Sequence, residues 1–213
     1  MINRGNIYWI GGSPCSGKST IAELLCKEFG FDYYKCDDHL DRYMKIGVDN
    51  NIEIMKKFKY MSMDEIWIER GVKEQFEDAL EFYKASFDVI VKDINENYVD
   101  NNLIVEGAAI TPEFILQNTI NIRNYMCIVP TKEFQQENYA KRSWVNNYLK
   151  PCSNPQLAFE NWMQRDILFS QNVLEKAKEH KMNFIVVDGS KSITENYEYL
   201  VDKLEIRKNI SIR

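Results

Sequence analysis

Nine consecutive residues, Gly12-Ser13-Pro14-Cys15-Ser16-Gly17-Lys18-Ser19-Thr20, space two glycines around four residues and follow them with a lysine and two hydroxyls. That order of residue types suits the binding of a phosphate chain. Glycine lets the backbone wrap closely enough for its N–H groups to surround a β-phosphate, and a helix starting there adds its positive end. Lys18 would reach the β- and γ-phosphates, and the Ser19 hydroxyl would bind Mg²⁺. The expected ligands are ATP and Mg²⁺. The competing reading is an ordinary Gly/Ser turn, which does not explain the lysine or the hydroxyls.

Two acidic positions could complete a reaction centre. Lys35-Cys36-Asp37-Asp38-His39-Leu40-Asp41 follows an apolar run. A carboxylate in the crevice at the carboxyl end of a parallel strand is placed to accept a proton from an attacking hydroxyl. Asp37 is the candidate base, and Asp38 is a helix cap or a metal-shell residue. Aspartate is also a good N-cap, so capping competes for both. Leu103-Ile104-Val105-Glu106-Gly107 ends a second apolar run on an acid. Many phosphate-loop proteins carry an aspartate there to hold the hydration shell of Mg²⁺. Glu106 is one methylene longer, and serves that shell or the substrate, with Gly107-Ala108-Ala109 leaving room for a pocket floor.

The elements that must position these residues are legible. Apolar runs alternate with helical patterns, which predicts βαβ units and a parallel sheet. Strands are expected at Asn6 to Ile10, Asp32 to Cys36, Leu103 to Val105, Tyr125 to Val129 and Asn183 to Val187. A helix runs from Ser19 to Phe29, and another starts near His39. Ser62-Met63-Asp64-Glu65 and Ser192-Ile193-Thr194-Glu195 fit the capping box, and Thr111-Pro112 sets a cap before a first-turn proline. Apolar spacing predicts a long helix from Asp64 to about Ile94, with Gly71 as a candidate break. Two insertions stand out, Tyr43 to Asn101 and Thr131 to Lys181, in one expected domain spanning 1–213.

Composition excludes several classes. A net charge of −5 over 213 residues lacks the positive field that binding to a nucleic-acid backbone requires. Five scattered cysteines with no C-x-x-C pair read as reduced thiols, and two histidines make a zinc site improbable by ligand spacing. Ile7-Tyr8-Trp9-Ile10 is too short for a signal peptide, and no run approaches a membrane span. A soluble, cytoplasmic protein is expected.

The phosphate loop followed by Asp37-Asp38 resembles the P-loop kinases of the nucleoside-monophosphate-kinase-like group. Similar members are the chloramphenicol phosphotransferases, the gluconate and shikimate kinases, and the polynucleotide 5′-hydroxyl kinase domain. The expected fold is an α/β three-layer P-loop NTPase fold. Its five-stranded parallel sheet has the order 2-3-1-4-5, with a helical acceptor-binding insertion at 43–101 and a lid within 131–181. The resemblance implies a lid whose arginines neutralise the transferring phosphoryl, and the basic stretch from Lys141 to Arg165 offers Arg142 and Arg165. A solvated helix face is the alternative for each. Trp144 and Trp162 flank the segment and could stack on a planar ligand or simply pack. The resemblance also places Gly189 and Ser190 beside the adenine, largely through backbone.

The implied activity is transfer of the γ-phosphate of ATP-Mg to a hydroxyl of a small molecule. The catalytic set is Lys18, Asp37, Arg142 and Arg165; substrate contacts are Asp37, Asp38 and Glu106; metal contacts are Ser19 and Glu106. A regulatory nucleotide-dependent ATPase, a 5′-hydroxyl polynucleotide kinase and a sulfotransferase are the alternatives. The acceptor and the oligomeric state are not readable from the sequence.

Overall fold

A computed structural model describes residues 6–98 and 102–207. The last three residues of the first insertion, 99–101, lie outside the described residues, as do 1–5 and 208–213.

The strands are β1 (Ile7–Gly11), β2 (Asp32–Lys35), β3 (Leu103–Glu106), β4 (Tyr125–Pro130) and β5 (Asn183–Val187). All pair in parallel in the order β2-β3-β1-β4-β5, the expected order. The helices are α1 (Lys18–Phe29), α2 (Leu40–Asp49), α3 (Glu53–Tyr60), α4 (Met63–Trp67), α5 (Val72–Asn97), α6 (Pro112–Gln117), α7 (Lys132–Ala140), α8 (Ser143–Leu149), α9 (Pro155–Glu179) and α10 (Ile193–Lys203).

Side-chain alternation along the strands builds a core on each face of the sheet. Tyr8, Ile10, Ile104, Met126 and Ile128 point to one side, where Ile21, Ala22 and Leu25 of α1 and Leu200 of α10 meet them. Trp9, Leu103, Val105, Tyr125, Cys127 and Val129 point to the other. There they meet Phe87, Ile90 and Ile94 of α5, Phe114 and Ile115 of α6, and Phe169 and Val173 of α9. Both faces are covered, so the strands read as continuous apolar runs. A third core lies over the loop side of the sheet: Trp67, Tyr139, Val145, Leu149, Trp162 and Met163 pack with Cys15.

The helix boundaries follow their caps. Ser62 and Ser192 each form the full capping box, and the Thr111 hydroxyl accepts from Phe114 N ahead of Pro112. The predicted Asp64 to Ile94 helix is divided. α4 ends at Trp67, and α5 starts after Gly71, whose extended backbone (φ −63°, ψ 147°) redirects the chain. Asn154 caps α9, whose first residue is Pro155, so the second proline of the second insertion starts a helix of 25 residues, and Pro151 lies in the turn before it.

Phe87, 1% exposed, touches Trp9 and Phe114 with ring centroids 5.9 and 5.7 Å away. Phe87→Ala is expected to lower stability by about 3–5 kcal/mol, read as the shift in urea midpoint at unchanged slope.

Candidate active site

Three chain segments converge where β1, β3 and β2 end. The sheet register sets Ile10, Glu106 and Lys35 side by side, so the phosphate loop, Glu106 and the turn bearing Asp37 leave the sheet at one level. Close approach makes this possible. A Cβ on Gly12 would lie 2.1 Å from the Ile128 carbonyl oxygen, and one on Gly107 would lie 2.5 Å from Cys36 Cβ. Gly12 and Gly17 also take positive φ (115° and 81°), a conformation glycine enters without strain.

The phosphate loop bends over a buried lysine. Lys18 is 6% exposed, and its Nζ donates to the Ser13 carbonyl at 2.7 Å and to Ser16 Oγ at 3.5 Å. It makes no ion pair among the described residues, so the loop holds a buried cation with no protein counter-charge. Such a site suits an anion. Ser16 Oγ donates to the Ser13 carbonyl at 2.9 Å, tightening the loop. Ser13 Oγ donates to the Asp166 carbonyl at 3.4 Å, tying the loop to α9.

Glu106 is the reverse case. It is 3% exposed and has no ion pair among the described residues. Its Oε2 accepts hydrogen bonds from Ser19 Oγ at 3.1 Å and from the Tyr33 hydroxyl at 3.0 Å. Burial, and then the Glu106 charge, push the Tyr33 hydroxyl well above its ordinary range, so it stays a donor. Among the described residues no group of three or more His, Cys, Asp or Glu side chains could cage a metal ion. A serine hydroxyl and one buried carboxylate beside a phosphate loop are instead the donor set a hard cation such as Mg²⁺ takes when phosphates supply further oxygens.

These groups share one cavity of about 730 Å³. Pro14 to Thr20, Asp37, Glu106, Ala108, Arg142 and Arg165 line it, together with Trp144 and Trp162. Gly12 and Ser13 are buried behind its surface. Asp37 sits on a 3-10 turn (Cys36–His39) and is exposed to the cavity.

Asp38 on the same turn stands outside the cavity, exposed, 3.8 Å from Lys35 Nζ. The tight turn aims neighbouring side chains in different directions, so one acid faces the cavity and the other faces solvent. Gly189 and Ser190 also lie outside it. They form the exposed turn after β5, where the Ser190 N–H and hydroxyl both donate to Asp188. That turn leads into α10, whose Ile193 side chain sits against Gly17 of the phosphate loop.

The two arginines are held differently. The Arg142 guanidinium lies over the Tyr139 ring, 4.9 Å from its centroid, and makes no ion pair among the described residues. Arg165 is anchored. Its Nε donates to Asp166 Oδ1 at 2.9 Å, and its guanidinium lies 4.8 Å from the centre of the Trp67 ring. Asp166 is 2% exposed and also accepts from Trp162 Nε1 at 3.1 Å and from the Tyr139 hydroxyl at 3.3 Å.

Several site residues carry no motif. Tyr33 looks like any strand aromatic, and only the adjacency of β2 and β3 brings it to Glu106. Asp166 carries no motif either, although an acid four residues after Trp162 on a buried helix face is a usable signal. Tyr83 lines the cavity, and burial pushes its hydroxyl up to about 12, opposed by Arg165 and assisted by Asp166 and Asp37. It therefore remains a neutral hydrogen-bond donor at ordinary pH.

Removing the counter-charge of Arg165 tests this anchoring. Asp166→Asn is expected to cost about 1–3 kcal/mol, because it removes the counter-charge of a guanidinium that is 15% exposed and lines the cavity. Urea unfolding measures it, and adding Arg165→Met to Asp166→Asn should recover much of the loss, since the asparagine oxygen still accepts from Trp162 and Tyr139. A single variant as stable as the parent would contradict the arrangement.

No family model and no curated protein matches the sequence. Solved structures do. TT1252 from Thermus thermophilus is similar with a TM-score of 0.52 at 13% identity, over 94% of this chain and 96% of that one. A shikimate kinase from Bacteroides thetaiotaomicron gives 0.51 at 12% identity, over 95% and 99%. A shikimate kinase from Aquifex aeolicus gives 0.42 at 19% identity, over 93% and 96%. The chain has the three-layer α/β fold of the shikimate kinase-like P-loop kinases.

Proposed function

We propose that this protein is an ATP-dependent phosphotransferase acting on a hydroxyl of a small molecule. One observation carries the reading: a single cavity is lined by Lys18, Ser19, Asp37, Glu106, Arg142 and Arg165. Phosphoryl transfer needs little covalent help from a protein. It needs positioning, a proton acceptor for the nucleophile, and positive charge around the transferring group. Each of those roles has a residue in that cavity. The shikimate kinase from Bacteroides thetaiotaomicron supports the same reading through its fold.

Backbone N–H groups of the loop from Gly12 to Thr20 would surround the β-phosphate, and Lys18 would span the β- and γ-phosphates. Ser19 and Glu106 would hold Mg²⁺. When bound, Mg²⁺ neutralises charge on the phosphates. Tyr33 keeps the Glu106 carboxylate aimed at Ser19. Asp37 takes the proton of the acceptor hydroxyl as the oxygen bonds to the γ-phosphorus. The bond from that phosphorus to the β-phosphate oxygen breaks, and ADP leaves. Arg142 and Arg165 stabilise the equatorial oxygens, a task for which their planar guanidinium groups are suited. Gly189 and Ser190 would border the adenine from the turn beside α10.

All five cysteines are unpaired, which fits the reducing cytoplasm proposed as its location. No helix among the described residues is long and apolar enough to cross a membrane.

The test is acceptor-dependent ADP release from Mg·ATP across a panel of hydroxyl compounds. With a working acceptor, Asp37→Asn is expected to lower kcat by about 10²–10⁴ with little change in the KM for ATP. Full activity in Asp37→Asn would remove the base from the mechanism. Phosphate release that depends on a protein partner and no acceptor would favour a regulatory ATPase.

A further inference from the structure

The acceptor end of the cavity has a chemistry of its own. Beyond Asp37 its walls come from α2, α3, α4 and α5, and their lining side chains are Met44, Phe58, Ile66, Trp67, Phe82 and Tyr83. These walls are packed ring against ring. Phe82 packs edge-on against Phe58 at 5.4 Å, Tyr83 packs against Phe169 at 5.3 Å, and Trp67 stacks on Trp162 at 4.9 Å.

The charges of this region are already committed. Arg70 donates to Asp78 and to the Glu65 and Ile66 carbonyls, and Lys57 donates to Asp78 at 2.6 Å. Neither lines the cavity. The cations that do are Lys18, Arg142 and Arg165. Lys18 belongs to the phosphate loop, and Arg165 is bound to Asp166, whose carbonyl the loop's Ser13 contacts. Arg165 lies over the Trp67 ring and Arg142 has no ion pair among the described residues; both are assigned above to the transferring phosphoryl, and Asp37 and Asp41 are the acids that share this side.

We infer that the acceptor is a neutral alcohol with an apolar, ring-bearing body, and not a carboxylate, a phosphate ester or a sugar-like polyol. This rests on the phosphotransferase reading above. An anionic acceptor would have the carboxylates of Asp37 and Asp41 at its side and would compete with the transferring phosphoryl for Arg142 and Arg165, a cost its binding would have to overcome. A polyol would leave most of its hydroxyls facing carbon, unpaired. A flat apolar ring instead meets aromatic faces and edges, while its one reacting hydroxyl reaches Asp37.

A matched set of probes tests this: 2-phenylethane-1,2-diol, mandelate (the same skeleton with a carboxylate), and glycerol. Two readouts separate the inference from the reading beneath it. Binding is followed by quenching of tryptophan fluorescence without nucleotide, and transfer by ADP release with Mg·ATP. The diol is expected to bind and react with at least tenfold preference over both others, and Phe82→Asp should abolish that preference while leaving ATP affinity unchanged. Met44→Arg, which adds a cation to the acceptor wall, should raise the relative affinity for mandelate.

Mandelate or glycerol bound or used as well as the diol overturns the inference while phosphotransfer stands. Selective binding of the diol with no transfer to any hydroxyl overturns phosphotransfer and keeps the pocket's preference. No binding of the diol by either readout overturns the inference.

Discussion

Two opposite charges are buried at the carboxyl edge of the sheet, and neither has a counter-ion among the described residues. Lys18 is held by carbonyl and hydroxyl oxygens of its own loop, and Glu106 by the hydroxyls of Ser19 and Tyr33. Charges in such a place are costly unless something neutralises them. The surrounding structure maintains them apart. Glu106 links α1, β2 and β3 through two hydrogen bonds, and the register of the sheet sets its height. The molecule thus keeps a buried cation and a buried anion at one edge of the sheet, the pairing on which the proposed binding of a metal-bound polyphosphate rests.

The other wall of the site depends on a second buried acid. Asp166 takes Arg165, Trp162 and Tyr139 at once, so one carboxylate orients a cation and two aromatic rings. Trp162 in turn stacks on Trp67, from the first insertion. The two insertions, separated by the central strands in sequence, therefore meet through an aromatic stack whose ends carry the arginine. Arg142 has no such anchor and lies on a tyrosine face at the start of α8. One arginine is held by a counter-charge and the other rests on a ring face.

The local signals in the sequence were strong where short-range physics governs. Capping boxes at Ser62 and Ser192, the Thr111 cap and the phosphate loop all depend on atoms within a few residues, and each forms as expected. Apolar runs located the strands to within a residue or so, because strands covered on both faces need little else. The helices of the insertions were less readable. Gly71 was visible as a break, but α9 was hidden behind Pro151 and Pro155 because a proline that starts a helix looks like one that ends it.

The sequence by itself determined the phosphate loop, the strands that carry it and the acids that end two of them, because those features are written in contiguous residue types. The tertiary structure decided which acid faces the cavity. Asp37 and Asp38 are adjacent and chemically alike, and only the 3-10 turn packed against Gly107 sends one inward and the other toward Lys35. It also decided that Tyr33 serves Glu106 and that Asp166 serves Arg165. Those pairings come from strand adjacency and helix packing, which bring together residues that no spacing in the chain relates.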